Sequence, residues 1–401
     1  MTTTPPPIPR TNPESVGLSP HRLERIGAAL QADIAGGKLP GAVIAIARHG
    51  KLAYLEAFGY LDRQAEVPMP ADAIFSIASM TKPLVSVAAL SLYEEGRLMV
   101  NEPVGKYLPQ FAKMRVRGEK GVVDSVPARR DMTIQDLMRH TAGVTYGNRG
   151  STPFDVNYLS SSSDVAEQMT GTEFLKKLAE LPLHFDPGSK WDYGFGLDVL
   201  GLAIEAVSGG SLGAFLQERL FKPLGMCDSG FVVPAQNVHR FAKGLPCDPM
   251  TGKPQQMRDS TRPHKFECGG GCGVSTAADY LRFALMLLNG GTLDGTRILG
   301  RKTVEYMTAD HMGPEIDTTR LHEWPNIDGY GFGLGVAVRR ATGAGGAVSS
   351  IGEFHWAGAT GTYFWVDPSE ALAVVFMAHA PGAIRFYLRQ LLHALVLQAL
   401  E

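Results

Sequence analysis

The hydrophobic pattern changes period twice along this chain. HRLERIGAALQADIAGG carries apolar residues at helical spacing. Ser19 suits its N-cap, Pro20 its first helical position and Gly36-Gly37 its end. GAVIAIARHGKLAYLEAFGY then reads as two strands around the turn Arg48-His49-Gly50-Lys51. The middle of the chain is mostly helical, with helix-period segments at 133–140, 172–181, 196–208, 212–220 and 276–288. Strand patterns return at 331–338, 353–358, 362–366 and 371–378, with a tight turn over 366–371. An amphipathic helix over 384–400 closes the chain, and no internal repeat is present.

Strands at both ends with helices between them predict an α+β architecture. The short connections among the C-terminal strands make those pairs antiparallel. The expected organisation is a loose arm over 1–15, a sheet domain from 16–95 and 311–401, and a mainly helical region over 96–310. The cleft between the last two is the natural place for a site.

Composition narrows the function classes. The chain has 401 residues, 44% hydrophobic and 19% charged, with a formal net charge of -2 and dispersed charges. That is no footprint of a nucleic-acid binder, and the short basic stretch MRVRGEK (114–120) reads as a solvated loop, as does the serine run 160–163. The start, MTTTPPPIPRTNPES, lacks the apolar core of a signal peptide, and the longest apolar run, 371–378, is too short to span a bilayer. A cytoplasmic protein with no membrane or nucleic-acid partner is expected; oligomeric state is left open. The four cysteines, Cys227, Cys247, Cys268 and Cys272, agree with a reducing compartment. CGGGC lacks a second pair at zinc spacing, so it reads as a glycine-rich turn with small buried thiols, and no metal or cofactor is expected.

Within FSIASMTKPLVSVAAL (75–90), Ser79 stands three residues before Lys82 at the start of an apolar helix. Positions three apart share a helix face. Pro83 fits a first turn, where its missing N–H is not needed, so Ser79 belongs at the helix N-terminus. The free N–H groups there favour developing negative charge. A serine becomes a nucleophile when a base takes its proton, and a desolvated lysine can do so. A rival, Gly209-Gly210-Ser211-Leu212-Gly213, matches G-x-S-x-G but follows a helix rather than a strand. Ser211 therefore reads as an N-cap.

Three further stretches join Ser79-x-x-Lys82. They are PGSKWDYGFG with Tyr193, TIQDLMRHTAGV ending at His140-Thr141-Ala142-Gly143, and FHWAGATGTYFWVDP with Trp356-Ala357-Gly358. In this order they resemble the serine β-lactamase and penicillin-binding-protein superfamily, and most of all its class C β-lactamase-like esterases, the family VIII carboxylesterases. GGGCGVSTAADYLRFALMLLNGG (269–291) is also similar, and the resemblance spans nearly the whole chain. It implies the β-lactamase/transpeptidase-like fold, with Ser79 as acylated nucleophile, Lys82 as its partner and Tyr193 as the second-motif tyrosine. It further implies an oxyanion hole from the N–H groups of Ser79 and Ala359. Trp356, Ala357, Gly358, Phe195 and, from its loop position, Tyr146 would contact substrate. It does not choose between Lys82 and Tyr193 as first base. His140 reads as a helix-end residue satisfying carbonyls, and Asp192 as a support of the Tyr193 loop.

Two departures from the β-lactamase pattern matter. Trp356 stands where a lysine usually helps bind the substrate carboxylate, and Phe195 where an asparagine often ends the second motif. An aromatic wall favours apolar groups over anions. The expected partner is a small-molecule ester, cleaved through an acyl-enzyme. The alternatives are a β-lactam or D-amino-acid peptide hydrolase, an acyltransferase, or a non-catalytic scaffold on the same fold.

Overall fold

The computed structural model describes residues 6–118, 121–147, 161–255, 257 and 259–401. Residues 1–5 of the expected arm, Glu119 and Lys120 of the basic stretch, and Ser160 of the serine run lie outside the described residues.

Helix α1 (Pro20–Ala35) starts after Ser19 and turns its apolar residues Leu23, Ile26, Leu30 and Ile34 into the core. Strands β1 (Gly41–Arg48) and β2 (Lys51–Asp62) follow. The turn between them places His49 and Gly50 at φ 53° and 74°, the left-handed geometry of a tight hairpin. β3 (Val67–Pro68) ends this edge of the sheet.

The sheet has eight strands, all paired antiparallel. The C-terminal strand Leu372–Ala378 lies beside β1, with Ala45 opposite Val375 and Ile44 opposite Phe376. Outward from it come Tyr363–Asp367, Phe354–Ala357, Ala337–Arg339 and Tyr330–Phe332. Distant ends of the chain thus form one sheet. Both central strands are buried along their whole length, so they read as continuous apolar runs rather than alternating ones. One face is covered by α1 and the C-terminal helix Ile384–Leu397. The helix Ala277–Leu288, from the expected helical region, packs against the same central strands.

Three expectations change in the structure. The 331–338 pattern is not one strand but the hairpin of Tyr330–Phe332 and Ala337–Arg339. Gly335 has φ 85°, and a Cβ there would meet Ser86 Oγ at 2.3 Å, so the chain reverses in close contact with a neighbouring helix. Residues 6–15 are not a loose arm. Thr11 N–H donates to Leu52 O, Leu52 N–H donates to Pro9 O, and Asn12 caps the short helix Pro13–Val16. The 212–220 helix runs over Leu212–Leu216 and then widens into a π-turn over Gln217–Phe221. Ser211 caps it by accepting the Ala214 N–H, as expected.

Strand β4 (Phe75–Ala78) and helix α2 (Thr81–Glu94) carry the chain through the molecule's interior. Residues Thr81 to Leu92 of α2 are buried all round, as an apolar helix without a polar stripe requires. His379, just past the last strand, accepts the Ser76 N–H on Nε2 at 2.9 Å, while Nδ1 faces Ala242 O at 2.8 Å. It is therefore a neutral Nδ1–H tautomer. Burial lowers its pKa from 6.5 to about 4. Between those values the unfolded chain takes up a proton that folded His379 does not. The stability this contact contributes is full above about pH 6.5 and is lost as pH falls toward 4. We expect the melting temperature of wild type to fall more between pH 7 and 4.5 than that of His379→Asn. Parallel curves for the two proteins would show that His379 does not set this dependence.

Candidate active site

The turn that carries Ser79 is held from three sides. Thr360 Oγ1 donates to Ser76 O at 2.6 Å and Thr362 Oγ1 donates to Ile77 O at 3.2 Å, tying β4 to the strand carrying Trp356. β4 also pairs with Gly273–Ser275. Ala78 then takes φ 42°, a costly conformation for a residue with a Cβ, and its carbonyl accepts from Thr81 Oγ1 at 2.6 Å. Ser79 follows, one residue before the α2 N-cap Met80, and Lys82 N–H closes the turn on Ser79 O at 3.0 Å. The expected helix start is correct to within two residues.

Lys82 has no exposed surface. Its Nζ lies 3.4 Å from Ser79 Oγ, 3.4 Å from the Tyr146 hydroxyl and 2.5 Å from Gly270 O. It also stands over the Tyr193 ring, 4.4 Å from the centroid. Tyr146, expected only to line the pocket, is thus a partner of the lysine. Its hydroxyl lies 2.6 Å from Ser162 Oγ, Ser162 donates to Asp198 Oδ2 at 2.7 Å, and Asp198 Oδ1 accepts the Gly270 N–H at 2.8 Å. Gly270 O in turn accepts from Lys82. These five residues close a ring of hydrogen bonds in which each link has a donor and an acceptor. Burial pushes the Asp198 carboxyl pKa up, against the opposing pull of Lys82, the Ser162 hydroxyl and the Gly270 N–H.

Sequence reasoning missed Ser162, Asp198 and Gly270. Ser162 belonged to a run read as solvated. Instead Ser161 caps the helix Ser162–Gln168, and Ser162 turns inward and is buried. Asp198 carried a legible signal. It is a carboxylate in the first turn of an otherwise apolar stretch, which poses the same question as Lys82. Gly270 sits in CGGGC. A Cβ there would lie 2.3 Å from both Asp198 Oδ2 and Ser162 Oγ, so only glycine fits. The flanking Cys268 and Cys272 are not free thiols but a disulfide, their Cα atoms 5.2 Å apart and both side chains buried. Three intervening residues bring the two close enough to bond.

Tyr193 is placed by a second backbone pairing. Phe195 N–H donates to Val144 O at 2.8 Å and Asp192 N–H donates to His140 O at 3.0 Å. A Cβ at Gly194 would lie 2.1 Å from Val144 O, which explains the glycine beside the tyrosine. The His140 side chain does not cap its helix as expected. It has φ 59°, its Nδ1 accepts the Gly194 N–H at 3.4 Å, and its ring packs 4.4 Å from that of Tyr193. Tyr193 also packs against Trp324 and Trp356, at 4.9 and 5.6 Å between ring centroids.

These elements enclose a cleft of about 480 Å³ lined by Ser79, Tyr146, Tyr193, Trp356, Ala357 and Ala359, with Trp324 and Phe386 extending its apolar wall. The Ser79 and Ala359 N–H groups make no hydrogen bond to another described residue. Two expected contact residues do not line the cleft. Phe195 is fully buried behind Tyr146, its ring centroid 4.6 Å from the tyrosine's. Gly358 lies underneath, where a Cβ would meet Ile77 O at 2.5 Å. Its role is to let the two strands approach. Among the described residues no group of three or more His, Cys, Asp or Glu side chains is placed to hold a metal ion. No single described helix is long and apolar enough to cross a membrane.

This is the β-lactamase/transpeptidase-like fold, and the chain belongs to the beta-lactamase family, whose model matches residues 26–397. It is 36% identical over 362 residues to an uncharacterised protein of Mycobacterium tuberculosis, covering 86% of this chain and 87% of that one. It is 32% identical over 379 residues to Esterase EstB of Burkholderia gladioli, covering 88% and 90%. Among solved structures it is similar to EstCE1, described as a hydrolase with promiscuous acyltransferase activity. The TM-score is 0.74 at 27% identity, covering 94% of this chain and 98% of that one.

Asp198→Asn keeps one oxygen for the Gly270 N–H but turns an NH2 toward Ser162, whose hydroxyl loses its acceptor and must reverse against Tyr146. A buried donor left without an acceptor costs about 1–3 kcal/mol. We expect a lower melting temperature together with reduced turnover, because Gly270 O and Tyr146 both orient Lys82. An unchanged melting temperature and turnover would remove Asp198 from this network.

Proposed function

We propose that the protein is a carboxylesterase acting on short-chain or small-alcohol esters through a Ser79 acyl-enzyme. The observation that carries this reading is Ser79 within reach of a buried Lys82, beneath Tyr193 and beside two unengaged backbone N–H groups. Ser79 Oγ attacks the ester carbonyl as its proton passes to the Lys82–Tyr193 pair. The tetrahedral oxyanion is held by the Ser79 and Ala359 N–H groups, a single such donor being worth roughly 3 kcal/mol. The proton then goes to the departing alkoxide, leaving Ser79 acylated. Water enters, gives its proton to the same pair, and releases the acid. Lys82, 3.4 Å from Ser79 Oγ, and Tyr193, whose ring it faces, share this proton transfer. Tyr146, linked to Lys82 and Ser162, fixes the lysine's direction.

Support for an ester over a β-lactam comes from the cleft wall. Trp356 packs with Tyr193, Trp324 and Phe332 into an apolar surface. The likeness to Esterase EstB points the same way. The EstCE1 likeness favours a second outcome of the same acyl-enzyme, transfer to an alcohol that enters the aromatic cleft in place of water.

The test is hydrolysis of p-nitrophenyl butyrate by wild type and Ser79→Ala. We expect activity that vanishes in the variant, and a fall of about 10²–10⁴-fold in kcat for Lys82→Ala and Tyr193→Phe. Activity surviving in Ser79→Ala would exclude this nucleophile. Nitrocefin turned over faster than any ester would exclude the substrate assignment.

A further inference from the structure

The backbone carbonyl that receives Lys82 belongs to three consecutive glycines, Gly269 to Gly271. Close approaches demand glycine at the first two. A Cβ at Gly269 would lie 2.4 Å from Leu197 O, and one at Gly270 2.3 Å from Asp198 Oδ2. Glycine also has the widest choice of backbone conformation, so a run of three does not by itself fix where a carbonyl points. Gly270 O nevertheless has to meet Lys82 Nζ, 2.5 Å away, while the Gly270 N–H donates to Asp198 Oδ1 at 2.8 Å.

The run is anchored on both sides. Upstream, Glu267 Oε2 accepts the Gly213 N–H at 2.7 Å. Downstream, Gly273 pairs with Ala78 and donates its N–H to Thr81 Oγ1 at 2.9 Å. Between these anchors the Cys268–Cys272 disulfide flanks the glycines directly, its Cα atoms 5.2 Å apart. Cys268 O also accepts the N–H groups of Gly271 and Cys272, at 3.3 and 3.2 Å. Both cysteines are fully buried in the main core. Reduction would turn one bond into two thiols, which need more room than the bond did, in an interior packed without spare volume. Room lies on the side of the cleft, which Gly270 and Gly271 line.

We infer that Cys268 and Cys272 form a thiol–disulfide modification site that positions Lys82, with small-molecule thiols and disulfides as its reaction partners. As a disulfide, the pair holds Gly270 O on Lys82. As two thiols, it releases the glycine run toward the cleft and takes that carbonyl off the lysine. The inference rests on the ester-hydrolase reading for the task it gives Lys82. The redox step balances. One cysteine thiolate attacks a small disulfide such as oxidised glutathione, leaving a mixed disulfide and one glutathione thiolate. The other cysteine then displaces the second glutathione and closes the bond. Two electrons and two protons pass from the pair to two glutathione molecules, and an excess of dithiol reverses both steps. Because the sulfur atoms are buried, exchange waits on local opening of the loop.

The experiment uses full-length Cys227→Ser/Cys247→Ser, which leaves the buried pair as the protein's only cysteines. The protein is equilibrated in native buffer with oxidised glutathione or with excess dithiothreitol, and its thiols are counted by alkylation and mass. We expect no thiol in the first form and both in the second. On reduction, kcat for p-nitrophenyl butyrate should fall by about 10–100-fold, the scale of a misplaced catalytic group, with KM little changed, and should return on reoxidation. Cys268→Ala/Cys272→Ala in the same background should resemble the reduced form and ignore both reagents. A pair that yields no thiol to dithiothreitol, or an equal kcat in the two forms, would overturn the site, even if the melting temperature changed. Ester turnover that survives Ser79→Ala, or turnover in neither form, would overturn the hydrolase reading instead. The clamp is then read without substrate, from the NMR signal of the Lys82 ε-carbon in isotope-labelled protein, identified by its loss in Lys82→Arg. A shift between the two redox forms supports the clamp, and an unchanged signal refutes it.

Discussion

A lysine ammonium with no exposed surface is the constraint around which this molecule is arranged. Removing such a charge from water costs several kcal/mol, and the cost is met only by close, well-directed partners. Lys82 has a backbone carbonyl from Gly270, hydroxyls from Ser79 and Tyr146, the face of Tyr193, and the buried Asp198 behind them. Those partners come from four separate stretches of chain. Satisfying one charge therefore ties the Ser79 turn, the Tyr146 loop, the Tyr193–Asp198 segment and the CGGGC loop into one unit. Gly194 and Gly270 are in this unit because a Cβ at either would strike a backbone or carboxylate atom.

The second dependence is of the Ser79 turn on the sheet. β4 is too short to hold itself, and Ala78 at its end is in a strained conformation. Thr360, Thr362 and His379 from the C-terminal strands supply hydrogen bonds to Ser76 and Ile77 and over-determine the turn. The same strand connection presents the Ala359 N–H. Ser79 and the Ala359 N–H are thus set by one set of contacts rather than by two independent loops, which is how such a strained turn persists.

The cleft joins two unlike surroundings. The Lys82 hydrogen-bond ring is buried beside Ser79. The wall of Trp324, Trp356 and Phe386 supplies apolar surface, and Arg385 and Arg389 of the C-terminal helix line the same cleft.

Much of this was legible beforehand. The helix α1, the β1–β2 hairpin, the last three strands and the α2 start follow from local periodicity and turn chemistry, which operate within a few residues. Ser79, Lys82 and Tyr193 were recognisable because motif spacing is also local. What the residue order could not display were contacts between segments that lie far apart in sequence. Ser162 looked like a loop serine until its helix packed against Asp198, and His140 like a cap until its ring met Tyr193. Phe195 looked like a contact residue until Tyr146 came to stand in front of it, and 331–338 like one strand until Gly335 turned it against α2. Periodicity reports which face of an element is apolar, but only packing determines what that face, or its polar neighbour, is brought against.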